Sequence, residues 1–248
     1  MGLIWQKFEQ HAKALEVPFI SDEVDNVEKN TDGTWKITSA SGTVYETKTV
    51  LLATGAGHRK LGVPGEETLA GAGVSYCATC DGAFFRNKTV AVVGGGDVAL
   101  EDALYLAAGC EKVYLIHRRQ ELRGTKVLQE QVANEPKITF LPDTVVKEIC
   151  GEQMVDHLVI ANTGTGEEKE LPVSGIFIAV GMNPQTDAVA SVLDLDHGYV
   201  RAGEDGVTEQ PGLFVAGDVR TKKLRQIVTA VADGANSVTS IVEYLKTL

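Results

Sequence analysis

The chain has 248 residues, of which 44% are hydrophobic, and it carries a formal net charge of -11 at pH 7. That length accommodates one large domain or two small ones. The acidic charge argues against nucleic acid as a partner, because such a surface needs clustered lysine and arginine to neutralise phosphates. No segment reaches the roughly 20 consecutive apolar residues of a membrane-spanning helix, so we expect no membrane insertion.

The N-terminal part of the chain predicts a helix followed by a small β-meander. The helix is predicted over 3–15, and short alternating segments between 23 and 47 predict three strands joined by Asp-Gly and Ser-Gly turns. A buried strand over 50–53 then leads into Thr54-Gly55-Ala56-Gly57. Such a glycine turn either simply reverses the chain or lets the backbone approach a cofactor closely.

Two segments that contain glycine and proline, 57–64 and 181–184, divide the chain. We interpret them as crossings between domains. Residues 1–59 and 184–248 are then predicted to form one discontinuous domain, and residues 60–183 a second domain inserted into the first.

The inserted domain shows strands alternating with helices, a pattern typical of a parallel sheet with right-handed crossovers. The predicted strands are 89–93, 112–116, 137–141 and 175–180, the predicted helices are 97–108 and 121–134, and an antiparallel pair is predicted at 144–149 and 155–162. The C-terminal segment predicts a buried strand ending in Gly217-Asp218 and a helix from about 224 to 245. Small residues on that helix indicate close packing on a sheet or a cofactor: Ala230, Ala232, Gly234 and Ala235.

A glycine loop follows the first strand of the inserted domain, with the sequence Gly94-Gly95-Gly96-Asp97-Val98-Ala99. In this G-x-G-x-x-A pattern, the first glycine allows a tight turn, the second lets the backbone approach a pyrophosphate, and the alanine permits close helix packing. The N-terminus of the next helix offers free N–H groups and a partial positive charge to phosphates. The pattern predicts a dinucleotide site.

A basic cluster ends the next strand, at His117-Arg118-Arg119, with Arg123 four residues further on. A site selective for NAD places an acid here for the ribose 2′-hydroxyl. Guanidinium groups instead bind a 2′-phosphate in fork geometry. We therefore expect NADPH rather than NADH, and the alternative interpretation is a solvated basic loop.

A Cys77-Ala78-Thr79-Cys80 segment lies seventeen residues before the glycine loop. Two cysteines at this spacing can form an exchangeable disulfide. Beside a dinucleotide motif, this arrangement indicates redox chemistry in a reducing, cytoplasmic compartment. Asp81 follows directly, either as the proton donor to a departing thiolate, or as a helix N-cap, or as both.

The other two cysteines, Cys110 and Cys150, stand alone. A zinc site would need a second ligand pair at similar spacing. We therefore expect no metal, and interpret both cysteines as small buried apolar residues.

Taken in order, the motifs Cys-Ala-Thr-Cys-Asp-Gly, Val-Gly-Gly-Gly-Asp, His-Arg-Arg, Ala-Gly-Asp and a late Arg-Gln resemble the low-molecular-weight, bacterial-type thioredoxin reductases, over essentially the whole chain. The related alkyl hydroperoxide reductase flavoproteins usually carry a bulkier Pro-His pair between the cysteines, so Ala78-Thr79 favours the reductase. The resemblance implies an α/β fold of two nucleotide-binding, Rossmann-like three-layer domains. It also implies FAD, NADPH, a thioredoxin or thioredoxin-like partner, and a homodimer.

The resemblance also implies roles for individual residues. Cys80 corresponds to the thiol that lies against the flavin, Cys77 to the thiol that exchanges with thioredoxin, and Asp81 to the acid. The residues that correspond to the FAD site are Thr54, Gly55, Gly217, Asp218, Arg225, Gln226 and Ile227. The residues that correspond to the NADPH site are Gly94, Gly96, Asp97, Val98, His117, Arg118, Arg119 and Arg123.

The chain departs from the family at its N-terminus. Family members begin with their own strand, G-x-G-x-x-G turn and helix, which hold the FAD pyrophosphate, whereas this sequence starts directly at the predicted helix 3–15. The FAD domain is therefore expected to be N-terminally truncated, as a fragment of a longer protein or as a shortened gene product. Three functions stay open: a thioredoxin reductase, an NADPH-binding remnant without flavin or turnover, and a related dithiol flavoenzyme such as a peroxiredoxin reductase.

Overall fold

The computed structural model describes residues 2–248, with side chains from Gln6 onward. The helices are α1 (Gly2–Ala14), α2 (Ala78–Asp81), α3 (Asp97–Ala107), α4 (Lys126–Asn134) and α5 (Ile227–Leu245). The strands are β1 (Val24–Lys29), β2 (Trp35–Ser39), β3 (Val44–Thr47), β4 (Val50–Leu52), β5 (Ala56–His58), β6 (Val74–Ser75), β7 (Thr89–Val93), β8 (Lys112–Ile116), β9 (Ile138–Leu141), β10 (Thr144–Cys150), β11 (His157–Asn162), β12 (Glu168–Pro172), β13 (Ile176–Ile178), β14 (Met182–Pro184), β15 (Leu195–Asp196), β16 (Tyr199–Val200) and β17 (Leu213–Val215).

The chain divides into two compact units, one of residues 57–183 and the other of residues 1–56 with 184–248. The strands at the two crossings, β5 and β14, pair with each other as a two-stranded sheet.

The unit of residues 57–183 has three layers. Its centre is a five-stranded parallel sheet in the order β6-β13-β7-β8-β9. Val90 and Val92 of β7 pack in one apolar cluster with α3, while Ala91 and Val93 pack in another with the antiparallel sheet β10-β11-β12. The sheet is thus buried on both faces, which explains the apolar run of β7 and confirms the predicted α/β class.

The other unit combines a meander with a parallel strand pair. The meander is β1-β2-β3, and β4 pairs with β17 so that Val50 lies opposite Leu213 and Leu52 opposite Val215. Trp35 is fully buried at the centre of its apolar cluster. Parallel pairing places the carboxyl ends of β4 and β17 side by side.

Helix α4 departs from the sequence prediction, because it begins at Lys126 instead of 121. The preceding residues are held away from helical geometry by the glycine loop: the N–H groups of Arg123 and Gly124 both donate to the carbonyl of Gly95. The strands that were not predicted are β5, β6, β12, β14, β15 and β16.

Helix α5 packs with an unexpected face. Its buried residues are Asp233 and Ser237, whereas Ala230 and Gly234 are half-buried and Ala232 and Ala235 are exposed. The small residues therefore do not form the buried face against the sheet, and their packing on a cofactor stays a prediction. The Ser237 hydroxyl donates to the carbonyl of Val215 in β17 at 3.1 Å, so the buried hydroxyl has a hydrogen-bond partner. None of the helices within residues 2–248, α5 included, has both the length and the hydropathy of a membrane span.

Candidate active site

The two cysteines of the Cys-x-x-Cys segment are joined by a disulfide. Cys77 is half-buried at the N-cap of α2, directly after β6 and Tyr76, while Cys80 is exposed. The N–H of Cys80 donates to the sulfur of Cys77 at 3.2 Å. Such a donor stabilises negative charge on that sulfur once the disulfide is reduced.

Ser75 links this segment to Asp81. Its buried hydroxyl donates to Oδ2 of Asp81 at 2.6 Å and accepts from the N–H of Cys77 at 3.1 Å. The carboxylate is thereby fixed to Ser75, two residues before Cys77. Sequence reasoning missed Ser75, since an isolated serine at the end of a two-residue strand forms no motif.

A buried carboxylate holds the residue next to Cys77. Glu66 is only 1% exposed, and it accepts from the N–H groups of Leu61 and Gly62, at 3.0 and 2.7 Å, and from the Tyr76 hydroxyl at 2.7 Å. Burial and then the Glu66 carboxylate raise the pKa of Tyr76, which keeps its hydroxyl a donor. Three donors satisfy this buried charge, and they tie the start of the redox segment to residues 61–62.

The glycine loop has the shape that a pyrophosphate needs. Gly94 has φ +155°, and a Cβ there would lie 2.4 Å from the carbonyl oxygen of Ala179 and 2.7 Å from the Cβ of Ala99. A Cβ on Gly96 would meet no atom within 4 Å, so open space faces the N-terminus of α3 at Asp97 and Val98. The loop therefore fits a dinucleotide phosphate.

The basic cluster gathers around His117. The side chain of His117 is buried beside Gly95, and its Nε2 has no hydrogen-bond partner within the described chain. Burial lowers the pKa of His117, and the positive charges of Arg123, Arg118 and Arg119 lower it further. The neutral imidazole offers a nitrogen without a hydrogen-bond partner within the described chain, and the three arginines offer exposed guanidinium groups. Together they fit a nucleotide with an additional phosphate on its ribose.

The other unit has its own site at the ends of β4 and β17. Thr54 follows β4 and donates its hydroxyl to the carbonyl of Gln185. Gly217, with φ +80°, and Asp218 follow β17, and Oδ1 of Asp218 is buried without a hydrogen-bond partner in the part of the chain described. This carboxylate oxygen lies 3.8 Å from Nζ of Lys222 and accepts no hydrogen bond within the described residues, so it fits a hydroxyl of the FAD polyol. The two glycine turns (the other at Gly55, φ +74°) allow close approach of the FAD phosphates.

The residues at the start of α5 include the remaining predicted FAD-site residues. The guanidinium of Arg225 lies 4.2 Å from the ring centroid of Tyr199 and donates to the carbonyl of Asp218 at 3.3 Å. Gln226 is the N-cap of α5 and forms a capping box with Thr229, and Ile227 opens the helix with its side chain half exposed. A helix N-terminus here favours negative charge on a neighbouring group.

A buried ion cluster supports the turn at Gly217. Asp233 accepts from Nη2 and Nε of Arg220, at 2.6 and 2.8 Å, from Nζ of Lys222 at 2.8 Å, and from the N–H of Gly217 at 3.0 Å. Burial raises the pKa of Asp233, but the hydrogen bonds and charges of Arg220 and Lys222 outweigh it and lower the pKa to about 2. These residues are scattered polar positions, so no sequence motif indicated them.

The structure thus brings the predicted residues together within each unit, while their roles stay predictions. Gly94 to Val98 and the basic cluster lie at one edge of the parallel sheet, and the disulfide lies in the same unit. Cys110 is buried, with its thiol against the carbonyl of Phe85. Across residues 2–248, no three histidine, cysteine or acidic side chains gather into a metal-binding group.

Comparison with known proteins identifies relatives along nearly the whole chain. Residues 7–234 match the model of the pyridine nucleotide-disulphide oxidoreductase family. The thioredoxin reductase of Listeria innocua is 44% identical over 216 residues, which cover 86% of this chain and 68% of that protein. The thioredoxin reductase of Peptoclostridium acidaminophilum is 40% identical over 248 residues, covering 97% of this chain and 78% of that protein. The crystal structure of thioredoxin reductase from Streptococcus pyogenes is 41% identical, with a TM-score of 0.93, and the match covers 100% of this chain and 81% of that one.

Proposed function

The chain belongs to the pyridine nucleotide-disulphide oxidoreductase family, among its low-molecular-weight, bacterial-type thioredoxin reductases, and from this premise we propose that it transfers electrons from NADPH, through FAD, to the disulfide of a thioredoxin or thioredoxin-like protein. The family resemblance expected from the motifs is confirmed. The observation that carries the proposal is the Cys77–Cys80 disulfide, with exposed Cys80 and a carboxylate tethered beside it.

Enzymes of this family use FAD and NADPH, which supply the electron pair for disulfide reduction when they are bound. In this chain we assign FAD binding to Thr54, Gly55, Gly217, Asp218, Arg225, Gln226 and Ile227. We assign NADPH binding to Gly94, Gly96, Asp97, Val98, His117, Arg118, Arg119 and Arg123. The supporting features are the open space at Gly96 and two buried polar atoms that form no hydrogen bond within the described residues, Oδ1 of Asp218 and Nε2 of His117.

Thiol–disulfide exchange then follows from the residues of the redox segment. In the reduced chain, the Cys77 thiol passes its proton to the Asp81 carboxylate, and the resulting thiolate, stabilised by the N–H of Cys80, attacks the disulfide of the partner. Its attack forms a mixed disulfide with the partner and releases one partner thiolate, which takes a proton from Asp81. Asp81 next accepts the proton of the Cys80 thiol, and Cys80 attacks the sulfur of Cys77. The second partner thiolate leaves with that proton, so the partner gains two electrons and two protons while the Cys77–Cys80 bond re-forms.

The test is a thioredoxin-coupled assay. Purified protein supplied with FAD should bind it and show the absorbance of a flavin. Sustained oxidation of NADPH should then require both thioredoxin and insulin. Cys77→Ser and Cys80→Ser should abolish insulin reduction, while the control Cys110→Ser, at the buried thiol, should retain it. Turnover that survives in either active-site variant would contradict the assignment.

The same samples separate the alternatives. Nucleotide binding without flavin uptake would identify the NADPH-binding remnant, and activity with a peroxiredoxin in place of thioredoxin would identify the related dithiol flavoenzyme. The homodimer and the cytoplasmic location stay proposals. Light scattering after size exclusion tests the first of these.

A further inference from the structure

The loop that carries Arg123 is attached to the glycine loop by its backbone. The N–H of Arg123 donates to the carbonyl of Gly95 at 2.6 Å, and the N–H of Gly124 donates to the same oxygen at 3.1 Å. The arginine therefore starts from a backbone position that is fixed relative to the phosphate-binding turn.

Two side chains complete this attachment, one on each side of the loop. Oδ1 of Asp97, the first residue of α3, accepts from the N–H of Thr125 at 2.7 Å. Nε2 of Gln129, on α4, donates to the carbonyl of Gly124 at 2.6 Å and to that of Leu122 at 3.2 Å. The backbone is therefore held on both sides of Arg123.

Packing removes the remaining freedom. Gly124 is buried, and a Cβ there would lie 2.0 Å from Cδ1 of Leu100 on α3. The side chain of Arg123, by contrast, is exposed. An exposed guanidinium on an immobilised backbone loses less conformational freedom on binding a phosphate than one on a mobile loop.

We propose that Gln129 and Asp97 are positioning residues that determine nucleotide specificity, because they hold Arg123 where it contacts the 2′-phosphate of NADPH. The inference rests on the proposed function, since it requires the basic cluster to be the 2′-phosphate site. It adds that the preference depends on the attachment of the loop as well as on its charge.

The test measures binding of adenosine 2′,5′-bisphosphate and of 5′-AMP by calorimetry, which does not depend on turnover. These probes differ only in the 2′-phosphate. Gln129→Met keeps the length of the side chain and removes its donor, and it should weaken the bisphosphate by about tenfold, the effect of one hydrogen bond, while 5′-AMP binding is unchanged. Asp97→Ala should act in the same direction, because it removes the acceptor of the Thr125 N–H; it should lower the affinity for the bisphosphate more than the affinity for 5′-AMP. The matched control is Gln153→Met, at an exposed position.

A double variant decides whether Gln129 acts through Arg123. Adding Gln129→Met to Arg123→Ala should cause no further loss of bisphosphate affinity. A full additional loss, or an equal loss for both probes from Gln129→Met alone, would overturn the proposal. If Arg123→Ala weakens both probes equally, the 2′-phosphate site itself is wrong and the positioning role falls with it. Selective loss in Arg123→Ala but none in Gln129→Met or Asp97→Ala would overturn the positioning role alone.

Discussion

Replacing Asp233 by asparagine should strongly destabilise the unit of residues 1–56 and 184–248. The substitution keeps the size of the side chain and removes the carboxylate that accepts from both Arg220 and Lys222, whose side chains are each only 7% exposed; the carboxylate that remains near Lys222 is Asp218, whose Oδ1 lies 3.8 Å from Nζ. Removing one partner of a buried ion pair typically costs about 3–5 kcal/mol, because the remaining charge is left in a poorly solvated site. Two cations depend on Asp233, so we expect a loss in this range at pH 7.

Part of this loss should depend on pH. The pKa of Asp233 is about 2 in the folded protein and 3.8 as its reference value. A lowered folded-state pKa contributes stability that is present above pH 4 and is lost as the pH falls through 2. The difference corresponds to about 2 kcal/mol in total, of which about 1 kcal/mol is lost by pH 3.

The assay is urea unfolding followed by the fluorescence of Trp35, which lies in the core of this unit. The sequence has two tryptophans, so a Trp5→Phe background isolates the signal. The gap in unfolding free energy between the parent and Asp233→Asn should narrow by about 1 kcal/mol from pH 7 to pH 3. Glu28→Gln, which breaks an exposed ion pair with Lys36 in the same unit, should cost far less, because solvent screens such a pair. A loss from Asp233→Asn as small as that of this control, or a gap independent of pH, would refute the reasoning.

Two further predictions concern the sites. Ser75→Ala removes the donor to Asp81 and should lower turnover with thioredoxin by roughly tenfold to a hundredfold, within the contribution of a positioned acid; an equal further loss in an Asp81→Asn background would contradict a role through Asp81. Gly94→Ala should destabilise the protein by about 2 kcal/mol or more, because its Cβ would lie 2.4 Å from the carbonyl oxygen of Ala179. Gly96→Ala, in open space, should leave urea unfolding unchanged and weaken nucleotide binding, and equal stability of the two variants would show that the clash is relieved.

Sequence analysis predicted correctly the helices and strands whose structure is determined by local residue preferences and by hydrophobic burial. Strands with apolar runs and helices with clear stop signals were found within a few residues, since local preference and burial agree there. The start of α4 was missed because hydrogen bonds to Gly95, remote in sequence, override the local helical pattern. The packed face of α5 was missed because Asp233 and Ser237 are buried through specific partners, whereas hydropathy assigns them to solvent. Gln129 lacks any motif for the same reason: its role comes from the two carbonyls it contacts.

The pairing of β4 with β17 also sets an order of events during synthesis. The partner strands, residues 50–52 and 213–215, lie about 160 residues apart in the chain, and the whole 57–183 unit is made between them. At a synthesis rate of about 5–20 residues per second, β4 waits roughly 8–30 s for its partner. The inserted unit has all its strands available before then. During this interval β4 therefore lacks its partner, whereas the strands of the inserted unit can already pair with one another.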